Sequence, residues 1–186
     1  ERTRLIILNS PANPTGGAVP RAEFDALIAG LLKWPKVTVM ADEIYSQMLY
    51  DGREHVSLLQ YPEIQDRLIV LDGWSKTYAM TGWRIGYAAG PAKLIGAMKK
   101  IQSQSTSNPT SISQVAAEAA LTGGRDCVEP MVKAFKERHD YLVAALNEIP
   151  GVSCIEGDGA FYAFPSLKGA MEKAGISDDV AFAEKL

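Results

Sequence analysis

The first half of the chain contains three short apolar runs, Leu5–Leu8, Val37–Met40 and Leu68–Leu71. Because nearly every position in them is apolar, they predict strands buried on both faces, as in a parallel sheet. Between the first two runs, apolar residues recur at helical spacing over Arg21–Trp34, and Pro20 suits the first turn of a helix there. The order strand, helix, strand is typical of an α/β fold.

The hydrophobic pattern in the rest of the chain predicts one more strand and several helices. The run Trp83–Ala88 follows the third strand without room for a helical crossover, which favours an antiparallel strand. Helices are predicted over three further segments, Pro91–Gln102, Ser111–Leu121 and Val128–Glu148.

After Pro150 the pattern changes to short apolar runs at Val152–Ile155 and Phe161–Phe164, with a helical stretch from about Asp178. We therefore expect a mainly parallel sheet with helices on both faces, followed by part of a smaller α+β C-terminal domain. The boundary is placed near Lys136, which divides the chain into residues 1–135 and 136–186.

The composition is that of an ordinary folded protein and excludes several classes of function. Of the 186 residues, 47% are apolar and 22% are charged, which excludes disordered and collagen-like chains. The net charge of −3 gives no basic surplus for nucleic acid or an anionic membrane. No apolar stretch is long enough to cross a bilayer, and we expect no signal peptide.

Cysteine and histidine provide no metal-binding pattern. Cys127 and Cys154 are isolated and predict reduced thiols in a cytoplasmic protein, and His55 and His139 have no cluster of ligands around them. The chain starts without Met and stops at Leu186 inside a helical pattern, so we expect a fragment of a longer protein.

Polar residues follow all three predicted parallel strands, in the motifs SPANPTG (10–16), ADEIY (41–45) and SKTYAMTGWRIGY (75–87). The carboxyl ends of parallel strands lie along one edge of a sheet, where α/β proteins bind ligands. The candidate site residues in these motifs are Asn13, Asp42, Tyr45, Ser75, Lys76 and Arg84. We expect them to converge on that edge.

The chemistry of these residue types restricts the range of ligands that the site could bind. A lysine forms an imine with an aldehyde, and a carboxylate pairs with a protonated pyridine nitrogen. An amide and a phenol donate hydrogen bonds to a phenolate oxygen, and a hydroxyl with a guanidinium holds a phosphate. Together these requirements describe pyridoxal 5′-phosphate and few other ligands.

The same motifs carry a family resemblance. With GAFYAFP (159–165), they resemble the central and C-terminal part of class I/II aminotransferases, the aspartate aminotransferase-like group of fold type I pyridoxal-phosphate enzymes. The spacing of eight positions from Lys76 to Arg84 is the most specific element. The resemblance implies a homodimer that transfers an amino group between an amino acid and a 2-oxo acid.

The resemblance also implies roles for three catalytic residues. Lys76 would hold the cofactor as an imine and, once released, move a proton between the substrate's Cα and the cofactor. Asp42 would keep the pyridine nitrogen protonated, although a carboxylate after a strand can also simply cap a helix. Tyr45 would donate to the phenolate oxygen of the cofactor, or else be a core aromatic residue. The neighbouring Glu43 is expected to face solvent or to be an ordinary acid at the start of a helix.

For the other binding residues the resemblance implies contacts with the cofactor alone. Asn13 would donate to the same phenolate oxygen, and Asn13–Pro14 is expected to be a cis peptide. Ser75 and Arg84 would hold the phosphate, with the guanidinium binding in bidentate fashion. Without the resemblance, Asn13 could equally form an Asx-turn.

Two further segments fit the family less specifically. The polar stretch Ser103–Thr110 resembles a segment that reaches toward the neighbouring subunit, or it is a solvated loop. Phe161 and Tyr162 resemble a strand that borders the substrate, or a plain buried strand.

Several family elements are not found in these residues. They are the glycine-containing phosphate loop, the aromatic ring that stacks on the pyridine and the arginine that binds the substrate's α-carboxylate. We therefore expect the 186-residue chain alone to be inactive.

Two alternative functions stay open at this point. One is a lyase or synthase on the same fold, which SPANPTGG disfavours. The other is a non-catalytic sensor domain of a transcription regulator, whose DNA-binding domain would precede Glu1.

Overall fold

A four-stranded sheet organises the computed structural model, which describes residues 2–186. Its strands are β1 (Leu5–Asn9), β2 (Thr38–Asp42), β3 (Leu68–Gly73) and β4 (Gly86–Ala89), in the spatial order β1-β2-β3-β4. The first three strands are parallel and β4 is antiparallel to β3. Asn9 pairs with Asp42, and Asp42 pairs with Leu71, so the carboxyl ends of the parallel strands lie side by side. The predicted α/β fold with a mainly parallel sheet is confirmed.

Helix α1 (Arg21–Leu31) covers one face of the sheet. The buried core under it is shared by helix and strand side chains, among them Phe24, Ile28, Val39, Leu68 and Val70. On the other face of β1, Leu5 and Ile7 are 47% and 60% exposed. Within the described residues, β1 is therefore buried on one face only, and not on both faces as expected.

The remaining helices are α2 (Trp74–Thr77), α3 (Ala92–Ser105), α4 (Ser111–Thr122), α5 (Val128–Asn147), α6 (Lys168–Ala174) and α7 (Asp179–Ala183). Short 3₁₀ turns are formed by Leu58–Gln60, Pro62–Arg67 and Thr81–Trp83. Helices α3, α4 and α5 agree with the sequence prediction within a few residues. Among residues 2–186, no helix has both the length and the apolar composition that a membrane span requires.

Two boundaries differ from those predicted for a local reason. Helix α1 ends at Leu31 because the backbone then tightens into i→i−3 hydrogen bonds, such as Trp34 N–H to Leu31 O at 2.9 Å. Strand β4 begins at Gly86 rather than Trp83, because Trp83 ends a 3₁₀ turn and Arg84 is left-handed.

The chain after residue 150 pairs less than the sequence indicated. Within the described residues, Val152–Ile155 and Phe161–Phe164 form no ladder, and Ser153 and Ser166 form a single antiparallel bridge. A physical reason is the left-handed backbone of the fully buried Ala160, with φ of 60°, which interrupts an extended run. The proposed domain boundary at 135/136 lies inside α5 and stays a prediction.

A close backbone contact ties the loop after β1 to residues 157–160. The carbonyl of Gly16 accepts hydrogen bonds from Asp158 N at 2.9 Å and Gly159 N at 3.0 Å. The Asp158 carboxylate accepts from Ala18 N at 2.9 Å and pairs with Arg53 at 2.9 Å. This contact places the residues that follow Gly159 against the carboxyl edge of the sheet.

Candidate active site

Asn9 connects the ends of the first two strands at this edge. Its side-chain amide donates to the carbonyl of Asp42 at 3.0 Å, and its side-chain oxygen accepts from Asn13 N at 2.7 Å. The turn that carries Asn13 contains two cis peptide bonds, Ser10–Pro11 and Asn13–Pro14, the second of which was expected. Asn9 was not singled out from the sequence, although a polar residue ending an apolar run was the available signal.

Tyr45 is the most buried of the six candidates, with 3% of its surface exposed. Its hydroxyl is hydrogen-bonded to the hydroxyl of Tyr162, and Asn13 is a further hydrogen-bonding partner. Burial is the main cause that raises the pKa of Tyr45 strongly, the nearby charge of Asp42 raises it as well, and the hydrogen bond with Asn13 acts in the opposite direction. Asn13, Asp42 and Tyr45 are therefore brought together, as the sequence predicted.

Lys76 lies in the single turn of α2, directly after β3. Its Nζ is 5.5 Å from the centroid of the Phe161 ring, and that ring meets Tyr45 edge to face at 5.5 Å. Among residues 2–186, the ion pairs involve other cations and leave Lys76 without a carboxylate partner. Lys76 and Tyr45 thus share the Phe161 ring as a neighbour, and within the described residues the amine is not held in an ion pair.

Ser75 and Arg84 are linked through Thr81. The hydroxyl of Thr81 donates to the carbonyl of Ser75 at 3.0 Å, and Arg84 Nη1 donates to the carbonyl of Thr81 at 2.8 Å. Arg84 is exposed and has a left-handed backbone with φ of 52°. These contacts hold the serine and the guanidinium on the same loop, next to Lys76.

The tight approach of β3 and β4 fixes where this loop starts. A Cβ on Gly73 would lie 2.9 Å from Gly86 Cα and 3.2 Å from Ile85 O, so only glycine fits there without a shift. Gly73 is also the residue that precedes α2, and the close packing therefore sets the position of Ser75 and Lys76.

Glu43 is buried and does not lie at the start of a helix, so both expectations for it were wrong. It is 7% exposed, and its carboxylate accepts from Leu58 N at 2.9 Å and from Ser57 Oγ at 3.1 Å. His55 Nε2 lies 2.9 Å from the same carboxylate. The donors come from a loop more than ten residues away, which the local sequence around Glu43 could not indicate.

Asp72 is a further acidic residue at this edge, and sequence reasoning did not select it as a candidate. Its carboxylate accepts from Gly73 N at 2.6 Å, and the hydroxyls of Ser46 and Tyr87 each lie 3.4 Å away. Burial raises the pKa of Asp72 above its usual value, although these donors oppose the shift. Its place at the end of the third apolar run was the signal available in the sequence.

The donor set at the edge matches the chemistry of pyridoxal phosphate. It combines an amine free of ion pairs within the described residues, a carboxylate, an amide hydrogen-bonded to a phenol, and a hydroxyl and a guanidinium on one loop. Metal ligands are not gathered in the same way: within residues 2–186, His, Cys, Asp and Glu side chains form no group of three or more suited to a metal.

Comparison with known proteins identifies related sequences along the whole chain. A family model described as aminotransferase class I and II matches residues 1–186. The aspartate/prephenate aminotransferase of Nitrosomonas europaea is 48% identical, over 97% of this chain and 47% of its own length. The aspartate aminotransferase of Bacillus subtilis is 43% identical, over 100% of this chain and 47% of its own length.

A solved structure shows the same relationship in three dimensions. The crystal structure of the aspartate aminotransferase from Rhizobium meliloti superposes with a TM-score of 0.88 and 45% sequence identity. That match covers 90% of this chain and 42% of the other. The chain therefore spans about half the length of the curated relatives it matches.

Proposed function

The chain belongs to the family of class I and II aminotransferases, and on this basis we propose that it forms part of an enzyme that transfers an amino group between an amino acid and a 2-oxo acid with pyridoxal 5′-phosphate. The observation that carries the proposal is the position of Lys76, an amine without an ion-pair partner among residues 2–186, beside the Phe161 ring that also contacts Tyr45. When bound, the cofactor supplies a ring that accepts electrons from the substrate's Cα.

Lys76, Asp42 and Tyr45 are the proposed catalytic residues. Lys76 would hold the cofactor through its aldehyde group, with loss of water, and its free amine would carry a proton to and from the substrate's Cα. Asp42 would stabilise the positive charge of the protonated pyridine nitrogen. Tyr45 would donate to the phenolate oxygen of the cofactor.

Asn13, Ser75 and Arg84 complete the proposed cofactor site. The amide of Asn13 donates to the same phenolate oxygen as Tyr45, which agrees with the contact between these two side chains. Ser75 and Arg84 would bind the phosphate, and Thr81 ties the backbone of Ser75 to the guanidinium of Arg84.

We propose aspartate as an amino donor, because relatives that match this chain are named aspartate aminotransferases and aspartate/prephenate aminotransferases. These names do not support the lyase or the sensor alternative. The homodimer, the cytoplasmic location and the inactivity of the 186-residue chain alone remain predictions.

The test uses the natural chain that contains these 186 residues, called the parent chain below. It is loaded with pyridoxal phosphate and mixed with aspartate without a 2-oxo acid acceptor. The proposal predicts loss of the cofactor's visible absorption and one equivalent of pyridoxamine phosphate per site. Continuing release of oxo acid and ammonia would instead identify a lyase. No change in absorption with aspartate or a panel of other amino acids would contradict amino-group transfer and favour a sensor.

A further inference from the structure

The hydrogen bond between Tyr45 and Tyr162 joins two residues that are 117 positions apart in the sequence. Their rings also meet edge to face, with centroids 5.6 Å apart and planes at 80°. Tyr45 is buried and Tyr162 is half-buried, so the pair is largely screened from water. A contact of this kind needs a specific backbone position, and the bonds from Gly16 to residues 158 and 159 provide it.

The direction of this hydrogen bond matters because a phenol has one proton to donate. Each hydroxyl can donate once and accept twice. If Tyr45 donated to Tyr162, its only proton would point away from Asn13 and from a ligand held there. If Tyr162 is the donor, the proton of Tyr45 is free to bind that ligand, and the accepted bond makes Tyr45 a stronger donor.

We propose that Tyr162 is a positioning residue whose hydroxyl donates to Tyr45 and thereby directs the Tyr45 proton toward the phenolate oxygen of the cofactor. This inference rests on the proposed function, because it needs the cofactor at Tyr45. Tyr162 itself does not contact the cofactor in this arrangement. Its effect is transmitted through the Tyr45 hydroxyl alone.

The consequence is a shift in the pH at which the lysine–cofactor linkage loses its proton. Negative charge on the phenolate oxygen of the cofactor stabilises the protonated form of the linkage. A hydrogen bond donated to that oxygen reduces its negative charge and so weakens this stabilisation. Strengthening Tyr45 as a donor therefore lowers the pH midpoint. Replacing Tyr162 by phenylalanine keeps the ring packing and removes only the hydroxyl, so it isolates this effect.

The experiment follows the visible absorption of the pyridoxal-phosphate-loaded parent chain as a function of pH. Tyr162→Phe is expected to raise the midpoint by about half a pH unit, roughly a threefold change in proton affinity. Tyr45→Phe is expected to raise it further. The matched control is Tyr50→Phe, which removes a buried hydroxyl that donates to the carbonyl of Ala160 in the same turn. It is expected to leave the midpoint unchanged.

Two results would overturn the inference. One is an unchanged midpoint in Tyr162→Phe; the other is an equal shift in Tyr50→Phe, which would attribute the effect to the turn rather than to the hydroxyl.

A readout without cofactor is provided by urea unfolding of the apo parent chain with Tyr45→Phe, Tyr162→Phe and the double variant. Non-additive losses of stability support the bond between the hydroxyls, and additive losses contradict it. If the unsubstituted parent chain takes up no cofactor on a lysine, the proposed function itself fails. If the cofactor-loaded parent chain has the same pH midpoint of absorption with and without the Tyr162 hydroxyl, only the inference about Tyr162 fails.

Discussion

Lys76 Nζ lies 5.5 Å from the centroid of the Phe161 ring, so a residue late in the chain forms one wall around the candidate catalytic amine. The same ring contacts Phe135 of α5, with centroids 5.3 Å apart, and Tyr45 at 5.5 Å. The candidate site thus depends on packing between the sheet edge, α5 and the segment after Gly159, and its geometry is tied to the stability of that packing.

Replacing Phe161 by leucine is expected to lower the free energy of unfolding by about 1–2 kcal/mol, because aromatic pairs and the cation–π contact are lost together. Urea unfolding of the 186-residue chain measures this. Phe164→Leu serves as the control, since Phe164 is 59% exposed and has no aromatic contact among those found in the described residues. Equal losses in the two variants would contradict a specific role for the Phe161 ring.

Gly159 is expected to tolerate no side chain. A Cβ there would lie 2.2 Å from the carbonyl oxygen of Met48, so Gly159→Ala should cost about 3 kcal/mol or more through forced backbone movement. Gly30, inside α1, has nothing within 4 Å of a built Cβ. Gly30→Ala should therefore raise the stability by about 0.5–1 kcal/mol through helix propensity. Thermal unfolding of both variants checks the contrast, and a mild Gly159→Ala would show that the close approach is not maintained.

Removing the Glu43 carboxylate is expected to destabilise the loop that it anchors. Glu43→Ala leaves Leu58 N–H buried without its acceptor and should cost about 2–3 kcal/mol. Glu63, an exposed acid in a 3₁₀ turn, provides the control, and Glu63→Ala should change stability by less than about 0.5 kcal/mol. Hydrogen exchange of the Leu58 amide gives a local readout. Unchanged protection in Glu43→Ala would contradict the anchoring role.

The stability of the chain should depend on the ionisation of Asp72. Burial raises the pKa of Asp72 above its usual value of 3.8. At pH values just above 3.8, the folded state therefore still holds the proton on Asp72, while the unfolded state has already released it. Stability is therefore lost as the pH rises through this window. Asp72→Asn should be more stable than the unsubstituted chain at pH 7, with the difference decreasing toward pH 3. Urea midpoints across that range test this, and a variant that is less stable at pH 7 would contradict it.

Much of the fold could be predicted from the hydrophobic pattern. The apolar runs that became β1, β2 and β3 and the periodicity of α5 depend on local sequence, and the structure confirms them. The loss of pairing around Phe161 could not be predicted, because the contact between Gly16 and residues 158 and 159 joins parts far apart in the chain.

The candidate site likewise has some features that the sequence predicted and others that it did not. Asn13, Asp42 and Tyr45 follow strand ends, and parallel strand order alone brings them together. Tyr162 was noted in the sequence, but its hydrogen bond with Tyr45 was not visible there, because the two residues meet only through tertiary packing. Glu43 shows the opposite case, in which an acid that looks solvent-facing is buried by donors from a distant loop.

The most direct test of the account is the identity of the lysine that bonds the cofactor. The parent chain is loaded with pyridoxal phosphate, reduced with borohydride and digested, and the labelled peptide is sequenced by mass spectrometry. The account predicts one label per chain, on Lys76, and its loss together with the visible absorption in Lys76→Ala. A label on another lysine, or none at all, would contradict it.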